Sequence, residues 1–260
     1  MRDLLPRDFP GTLRQIAALG YQEVEAAGYF HRSVKEVRSA LHEANLRLPS
    51  AHYSHDDLSR DFDRILEFNK EIGVRTLICS FPGLKNPSRL KDASFATVVQ
   101  SFTLDDWRWN ADEFNRMGER AKAAGMHFGY HNHTMEFRPQ QGVVPYDELM
   151  RLTNPALVTF EMDCGWVIVG GGNPVDLLER YPHRITMLHV KDFKPASTPS
   201  TATAPPPAAE LGRGTIDYHP IFAAARRANI QHCYVEQEGF DMPPMQALRA
   251  DAEYMRSFRD

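Results

Sequence analysis

The stretch HFGYHNHTMEF, residues 127–137, carries His127, His131, His133 and Glu136 among apolar neighbours. A buried strand normally excludes groups that need a proton, a hydrogen-bond partner or a metal, so a run this rich in them points to chemistry. Three apolar runs downstream carry comparable groups: Asp163 in VTFEMDCGW, His189 in ITMLHVKDF and Glu236 in HCYVEQEG. Two carboxylates, an imidazole and a third acidic or imidazole donor make a mixed oxygen and nitrogen set. Such a set suits Mn²⁺, Mg²⁺, Co²⁺ or Zn²⁺, with coordination positions left for a substrate. Any one of these residues alone has a plain explanation, since a strand-end Asp often caps a helix and a buried His often completes a hydrogen bond in a core. Their recurrence at the ends of consecutive runs is what argues for one shared site.

To meet, these residues need elements that end at one place. Runs 21–28, 48–55, 74–81, 126–133, 158–166, 185–193 and 232–239 read as strands, each bounded by Gly, Pro or polar residues. Helical patterns lie between them. Ser33 with Glu36 forms a capping box before Val34, Val37 and Leu41. Residues 57–72 put Leu58, Phe62, Ile65, Leu66 and Ile72 on one face, with Gly73 as a stop. Asp112 is expected to cap a helix bearing Phe114, Met117 and Ala121, and residues 243–258 to form a last helix. Repeated strand–helix alternation implies a parallel sheet. The glycine-rich phosphate-binding turns of open nucleotide-binding sheets are absent.

A closed (β/α)₈ barrel, with residues 1–260 as a single domain, fits better. The strand ends of such a barrel converge on one mouth. Residues two apart on a strand share a face, so His131 with His133, and His189 with Lys191, are expected to point inward. Glu136, just past its strand, can curl back over the opening. Cys164 is expected to face the helices. Only seven strands are countable, because the opening MRDLLPRDFPGTLRQIAALGY reads as a loop and a helix. The chain is therefore expected to lack the first barrel strand. Residues 194–214, rich in Pro, Ala, Ser and Thr, are expected to be a mobile loop at the mouth, and 82–111 a second connection able to cover it.

Composition excludes several other classes. A net charge of −4 argues against a nucleic-acid partner. Three cysteines without a CxxC argue against a disulfide framework and a cysteine zinc site. No apolar run reaches membrane-spanning length and the first residues carry no apolar signal core, so a cytoplasmic location is expected.

The motifs GYHNHTMEF, EMDCGWVIVGGGNPVDLL, RITMLHVKDF and YVEQEG, in that order, resemble the sugar phosphate isomerase/epimerase group of the xylose isomerase-like TIM barrels. The resemblance spans nearly the whole chain. It implies Glu136, Asp163, His189 and Glu236 as metal ligands, with Mn²⁺ foremost. Many relatives carry a glutamate at the strand end where this chain has His131, which leaves the first ligand open between His131 and Glu136. It further implies a small sugar or keto-sugar substrate and a proton transfer next to its carbonyl. Glu236 or His133 would remove the proton, and Glu136 or a histidine such as His131 would return it. Lys191 would reach a substrate oxygen or pair with a barrel carboxylate. Trp166 would wall the sugar and Arg213 would clamp it, each with ordinary packing or surface exposure as the alternative. The reaction expected first is isomerisation or epimerisation. A lyase of the inosose dehydratase or 3-keto-glycoside type is the alternative, and a non-catalytic sugar-binding barrel is a different class. An abasic-site endonuclease of the same superfamily is disfavoured by the acidic charge. Assembly into a homo-oligomer is left open.

Overall fold

Six of the seven runs become strands of one parallel sheet: β1 (Ser50–Ser54), β2 (Thr76–Phe81), β3 (His127–His131), β4 (Val158–Asp163), β5 (Ile185–Val190) and, after two short strands, β8 (His232–Val235). The structure, a computed structural model, describes residues 1–90, 93–195 and 205–258. The strand order β1-β2-β3-β4-β5-β8 follows the chain, and every pairing is parallel. Such a sheet, covered by helices, is a curled β/α barrel. Ile78, Met187 and Tyr234 cluster in a small apolar group of their own, and the Tyr234 hydroxyl accepts from Ser50 Oγ at 3.0 Å, joining β8 to β1.

The seventh run departs from expectation. Residues 21–28 run along the free edge of β1 but pair only through isolated bridges, Glu23 with Arg47 and Ala26 with Ala51. Their backbone is laddered on that side alone, with Val24 N–H to Arg47 and Ala26 N–H to Ser50. Towards β8 and β5 the segment reaches by side chains instead: Glu23 meets His232 Nδ1 at 2.7 Å, and Glu25 meets His189 Nε2 at 2.7 Å. The sheet is thus closed across this gap by side-chain contacts between carboxylates and imidazoles where a barrel would ordinarily have another ladder.

Local signals set most helix ends. Ser33 and Glu36 form the reciprocal capping box at the helix Val34–Ala44. The helix His55–Ile72 starts on Ser54 and stops at Gly73, whose φ of 108° is left-handed. The expected cap at Asp112 is corrected. That helix spans Leu104–Ala123 and begins at Thr103, whose capping box with Asp106 competes successfully and leaves Asp112 in mid-helix. The last helix is Pro244–Arg256. Among the described residues no helix is long and apolar enough to cross a membrane.

Of the loop expected at 194–214, residues 196–204 lie outside the described residues. Its flanks are tied down. Strand β6 (Asp192–Phe193) pairs antiparallel with β7 (Ala208–Ala209). The Asp192 carboxylate accepts from the backbone N–H of Phe193, Gly212, Gly214, Thr215 and Ile216. In the connection 82–111, a helix over Phe95–Ser101 brings Phe95, 69% exposed, to the rim of the C-terminal mouth.

Candidate metal centre

Register assembles the site. His131 on β3 lies opposite Glu161 on β4, and Asp163 on β4 lies opposite His189 on β5. Side chains two apart on β4 share a face, so Glu161 and Asp163 both turn into the barrel. Donor atoms of His131, Asp163, His189 and Glu236 all fall within 4.8 Å of one another. Within this group His189 Nδ1 is 2.9 Å from Glu236 Oε2, and His131 Nε2 is 4.0 Å from Asp163 Oδ2. Asp163 divides its labour: Oδ1 accepts the Trp166 N–H at 2.8 Å and caps the helix Cys164–Val169, while Oδ2 is buried without a hydrogen-bond partner. Asn132 fixes the adjoining backbone, its Oδ1 accepting the Asp163 N–H at 3.1 Å.

Lys191 lies among the carboxylates. Its Nζ is 3.0 Å from Glu236, 3.1 Å from Asp163 and 3.7 Å from Glu238, and sits 4.2 Å from the centre of the Trp166 ring. These are ion pairs without hydrogen-bond alignment, since Lys191 Nζ too is a buried donor with no hydrogen-bond acceptor. Gly165 makes room for it: a Cβ there would stand 2.4 Å from Lys191 Cγ. Burial disfavours the Lys191 charge, but Asp163 and Glu236 outweigh it and raise the ammonium's pKa. Burial raises the Asp163 carboxyl, with Lys191 working against it. Glu236 is burdened by burial too, yet Lys191 and His189 hold it well below the usual carboxylate range.

Beneath this layer lie three residues that the sequence reading did not single out. Glu161 Oε2 is 2.6 Å from His52 Nε2, 3.0 Å from His131 Nδ1 and 3.3 Å from His189 Nε2. Glu25 Oε2 is 2.7 Å from both His52 Nε2 and His189 Nε2. Burial opposes a charge on His52, but Glu25 and Glu161 overcome it and raise the imidazole to about 10. Glu161 had a readable signal, its place two residues before Asp163 on one strand face. His52 and Glu25 had none, because their neighbours are set by how the sheet closes.

The expected ligand Glu136 is placed elsewhere. It is fully buried, and its Oε1 accepts from the Tyr130 hydroxyl and from the His133 N–H. The chain turns through the short helical turn Met135–Phe137 and carries this carboxylate behind the strand instead of over the mouth. Burial lifts its carboxyl to about 7, against the bonds from Tyr130 and His133. Of the two alternatives for the first ligand, His131 stands in the donor group and Glu136 stands outside it. His133 lines the mouth, its ring stacked 6.1 Å from Trp166 and its Nδ1 buried without a partner. Burial first, with the Lys191 ammonium adding to it, pushes its pKa well below the ordinary histidine value, so the ring is neutral. Trp166 backs Lys191 and His133 without lining the cavity, and Arg213 is exposed on the turn after Glu210, also outside the lining.

Cavities open at both ends of the sheet. A larger one, about 810 Å³, opens at the N-terminal ends of the strands among Arg47, Thr76, His127 and His232. The smaller, about 620 Å³, opens at the C-terminal ends over His52, His131, His133 and Glu236. The donor groups are at the smaller one, where barrels of this kind carry their chemistry. Its rim is acidic, with Asp57, Asp61 and Glu238, and of its arginines Arg60 is already paired with Asp57. The donor set also passes a fit test for a divalent cation. It combines carboxylate and imidazole donors, a buried Asp163 oxygen lacks a hydrogen-bond partner, and the group opens on a cavity.

The chain matches the family described as xylose isomerase-like TIM barrel over residues 13–258. It is 25% identical over 245 residues to an inosose dehydratase from Clostridium botulinum, covering 86% of this chain and 79% of that protein. Among solved structures, it superposes with a TM-score of 0.76 on a sugar phosphate isomerase/epimerase from Parabacteroides distasonis. That match has 24% identity and covers 99% of this chain and 91% of the other. A 3-keto-D-glucoside 4-epimerase from E. coli superposes with a TM-score of 0.70 at 18% identity, covering 95% and 94%. At such identities the structural likenesses speak for the fold alone.

Proposed function

The chain belongs to the xylose isomerase-like TIM barrel family, and on that premise we propose that it is a divalent-metal-dependent enzyme that removes a proton next to the carbonyl of a neutral keto-sugar. The observation that carries the reading is the approach of His131, Asp163, His189 and Glu236 donor atoms to within 4.8 Å, in a group of which His131 and Glu236 line a cavity. These four residues would hold the ion. When bound, it would supply a positive charge for the negative charge that develops on a substrate oxygen.

The chain's own groups supply the rest. His133, neutral and in the cavity lining, accepts the proton from carbon. The Glu136 carboxylate fixes the backbone at His133 by accepting its N–H. Lys191 directs its ammonium toward the substrate oxygens from between Asp163 and Glu236. Trp166, behind both, keeps water from that side. If a hydroxyl sits on the next carbon, His133 returns the same proton to it as it leaves. The products are then an enone and water, and the enzyme ends in its starting state. Return of the proton to carbon gives isomerisation or epimerisation instead. We place elimination first, because the dehydratase is a sequence relative over most of both chains. Epimerisation is the second reading, because the same donor group and base also permit the proton's return to carbon.

The acidic rim favours an uncharged substrate over a sugar phosphate. The test is incubation with Mn²⁺ and an inosose or a 3-keto-glycoside, beside the corresponding phosphate ester, in deuterated buffer. The expected result is ultraviolet absorbance of an enone from the neutral substrate, at least ~10-fold faster than from the ester, a preference of about 1.4 kcal/mol. Deuterium incorporation without an enone would move the reaction to isomerisation or epimerisation. No reaction with any divalent metal would favour a binding barrel.

A further inference from the structure

We propose that Glu161 is the positioning residue of the metal centre: one buried carboxylate that accepts from the inner nitrogen of the ligand imidazole His131 and stands beside that of His189. The inference rests on the metal-centre reading above and goes beyond it, because no feature of the outer donor group requires this second layer.

Each ring has two nitrogens and shows one to each layer. His131 turns Nε2 toward Asp163 and Nδ1 toward Glu161 Oε2, at 4.0 and 3.0 Å. His189 turns Nδ1 toward Glu236, at 2.9 Å, and Nε2 toward Glu25 and Glu161, at 2.7 and 3.3 Å. An ionised carboxylate only accepts hydrogen bonds. His131 has a carboxylate at hydrogen-bond distance on its inner side alone and donates Nδ1–H to Glu161; His189 has one on each side, Glu236 at Nδ1 and Glu25 at Nε2, so its outer proton would have to leave for an ion to bind there. A neutral ring that donates inward has its lone pair on the outer nitrogen, the atom a cation needs. In the opposite tautomer an N–H would point at the ion and a lone pair at a carboxylate.

The support is enclosed. Glu161 is fully buried, with His52 Nε2 2.6 Å and His131 Nδ1 3.0 Å from its Oε2. His52 bridges Glu161 and Glu25. β4 therefore supplies both a ligand, Asp163, and the support of another, His131, with the strand register opposite β3 fixing the geometry. The inner residues His52, His131, Glu161 and His189 also lie within 4.8 Å of one another. Serving two cations at once would require both shared rings to lose their second proton. Two of the three contacts around one Glu161 oxygen, 2.6 Å to His52 and 3.0 Å to His131, are hydrogen bonds, and His189 Nε2 lies 3.3 Å away, which favours support over a second ion.

The experiment reads ring tautomers and ion binding on the full chain. Nitrogen-15 NMR of the metal-free protein is expected to show His131 protonated at Nδ1 and not at Nε2. Mn²⁺ titration is expected to give one ion per chain. Glu161→Gln keeps the volume but replaces the anion with an amide, one end of which donates. It is expected to mix the His131 tautomers and to weaken Mn²⁺ binding about 10- to 100-fold, still at one ion per chain. Mixed tautomers in the unsubstituted chain would overturn the proposal even if the variant fails to fold. So would a variant affinity within ~2-fold of the parent, measured against the tenfold lower bound. Two ions in the parent and one in the variant would make the inner group a metal site and overturn it as well. No ion in the parent, with the tautomer locked, would locate the failure in the metal-centre reading, and the proposal would fall with it.

Discussion

Asp163→Asn is expected to leave the fold standing and to remove the metal. The Asn side-chain oxygen can still accept the Trp166 N–H that Asp163 accepts at 2.8 Å, so the cap on the helix Cys164–Val169 survives. Burial already disfavours the Asp163 charge, and a neutral amide removes that cost while Glu236 keeps its contact with Lys191. Stability is therefore expected to change by no more than about 1 kcal/mol, roughly the net worth of one hydrogen bond. What is lost is the anionic oxygen, Oδ2, that faces the donor group. Mn²⁺ binding measured by calorimetry should fall at least ~100-fold, the upper end of what even a supporting partner's loss costs. Activity should fall about 1,000-fold or more, since a bound ion contributes several kcal/mol and each ~1.4 kcal/mol is tenfold. An unfolded variant by circular dichroism would make Asp163 a structural cap first. A folded variant that binds Mn²⁺ as tightly as the parent would take it out of the ligand set.

Lys191→Met is expected to give an effect of comparable size by a different route. Met keeps an unbranched stem to lie past Gly165 and over Trp166, and removes only the ammonium. Asp163 and Glu236 are then left without their cation. Breaking a buried ion pair by removing one partner costs about 3–5 kcal/mol, which for a chain of this size lowers the melting temperature by roughly 10 °C. Saturating Mn²⁺ should restore most of that loss, because a divalent ion bound only by the folded state replaces the missing charge. Thermal melts with and without Mn²⁺ measure both. kcat should still fall about 100- to 1,000-fold with the ion bound, as expected for loss of a charged donor at the reacting oxygens. A melting temperature that drops equally with and without the ion would separate Lys191 from the metal centre.

Much of this arrangement was legible in the chain because strands repeat with a period of two. His131, Asp163, His189 and Glu236 each stand at the end of an apolar run, and parallel strands bring their ends together whatever the helices between them do. The family motifs carried the fold in the same way. The illegible parts depend on chain geometry beyond one strand. Glu136 follows a helical turn whose direction is set by the Tyr130 hydroxyl and the His133 N–H, neither of which is a local sequence signal. Arg213 belongs to a turn organised by five N–H groups converging on Asp192, and the turn leaves it outside the cavity. Glu25 lies on a segment whose strand pattern is real but whose ladder is interrupted, so its partner His189 follows only from how the sheet closes. Asp112 lost its expected cap to the stronger box at Thr103 and Asp106.

The central claim is that side chains remote in sequence share one divalent ion at the C-terminal mouth of the barrel. Anomalous diffraction from crystals grown with Mn²⁺ tests it most directly. The account predicts one peak per chain, about 2.0–2.3 Å from His131 Nε2, His189 Nδ1 and a carboxylate oxygen of each of Asp163 and Glu236, the range of ordinary metal–donor bonds. A peak bound by Glu136 and not His131 would redraw the ligand set. A fully soaked crystal with no peak among Asp163, His189 and Glu236 would contradict the account.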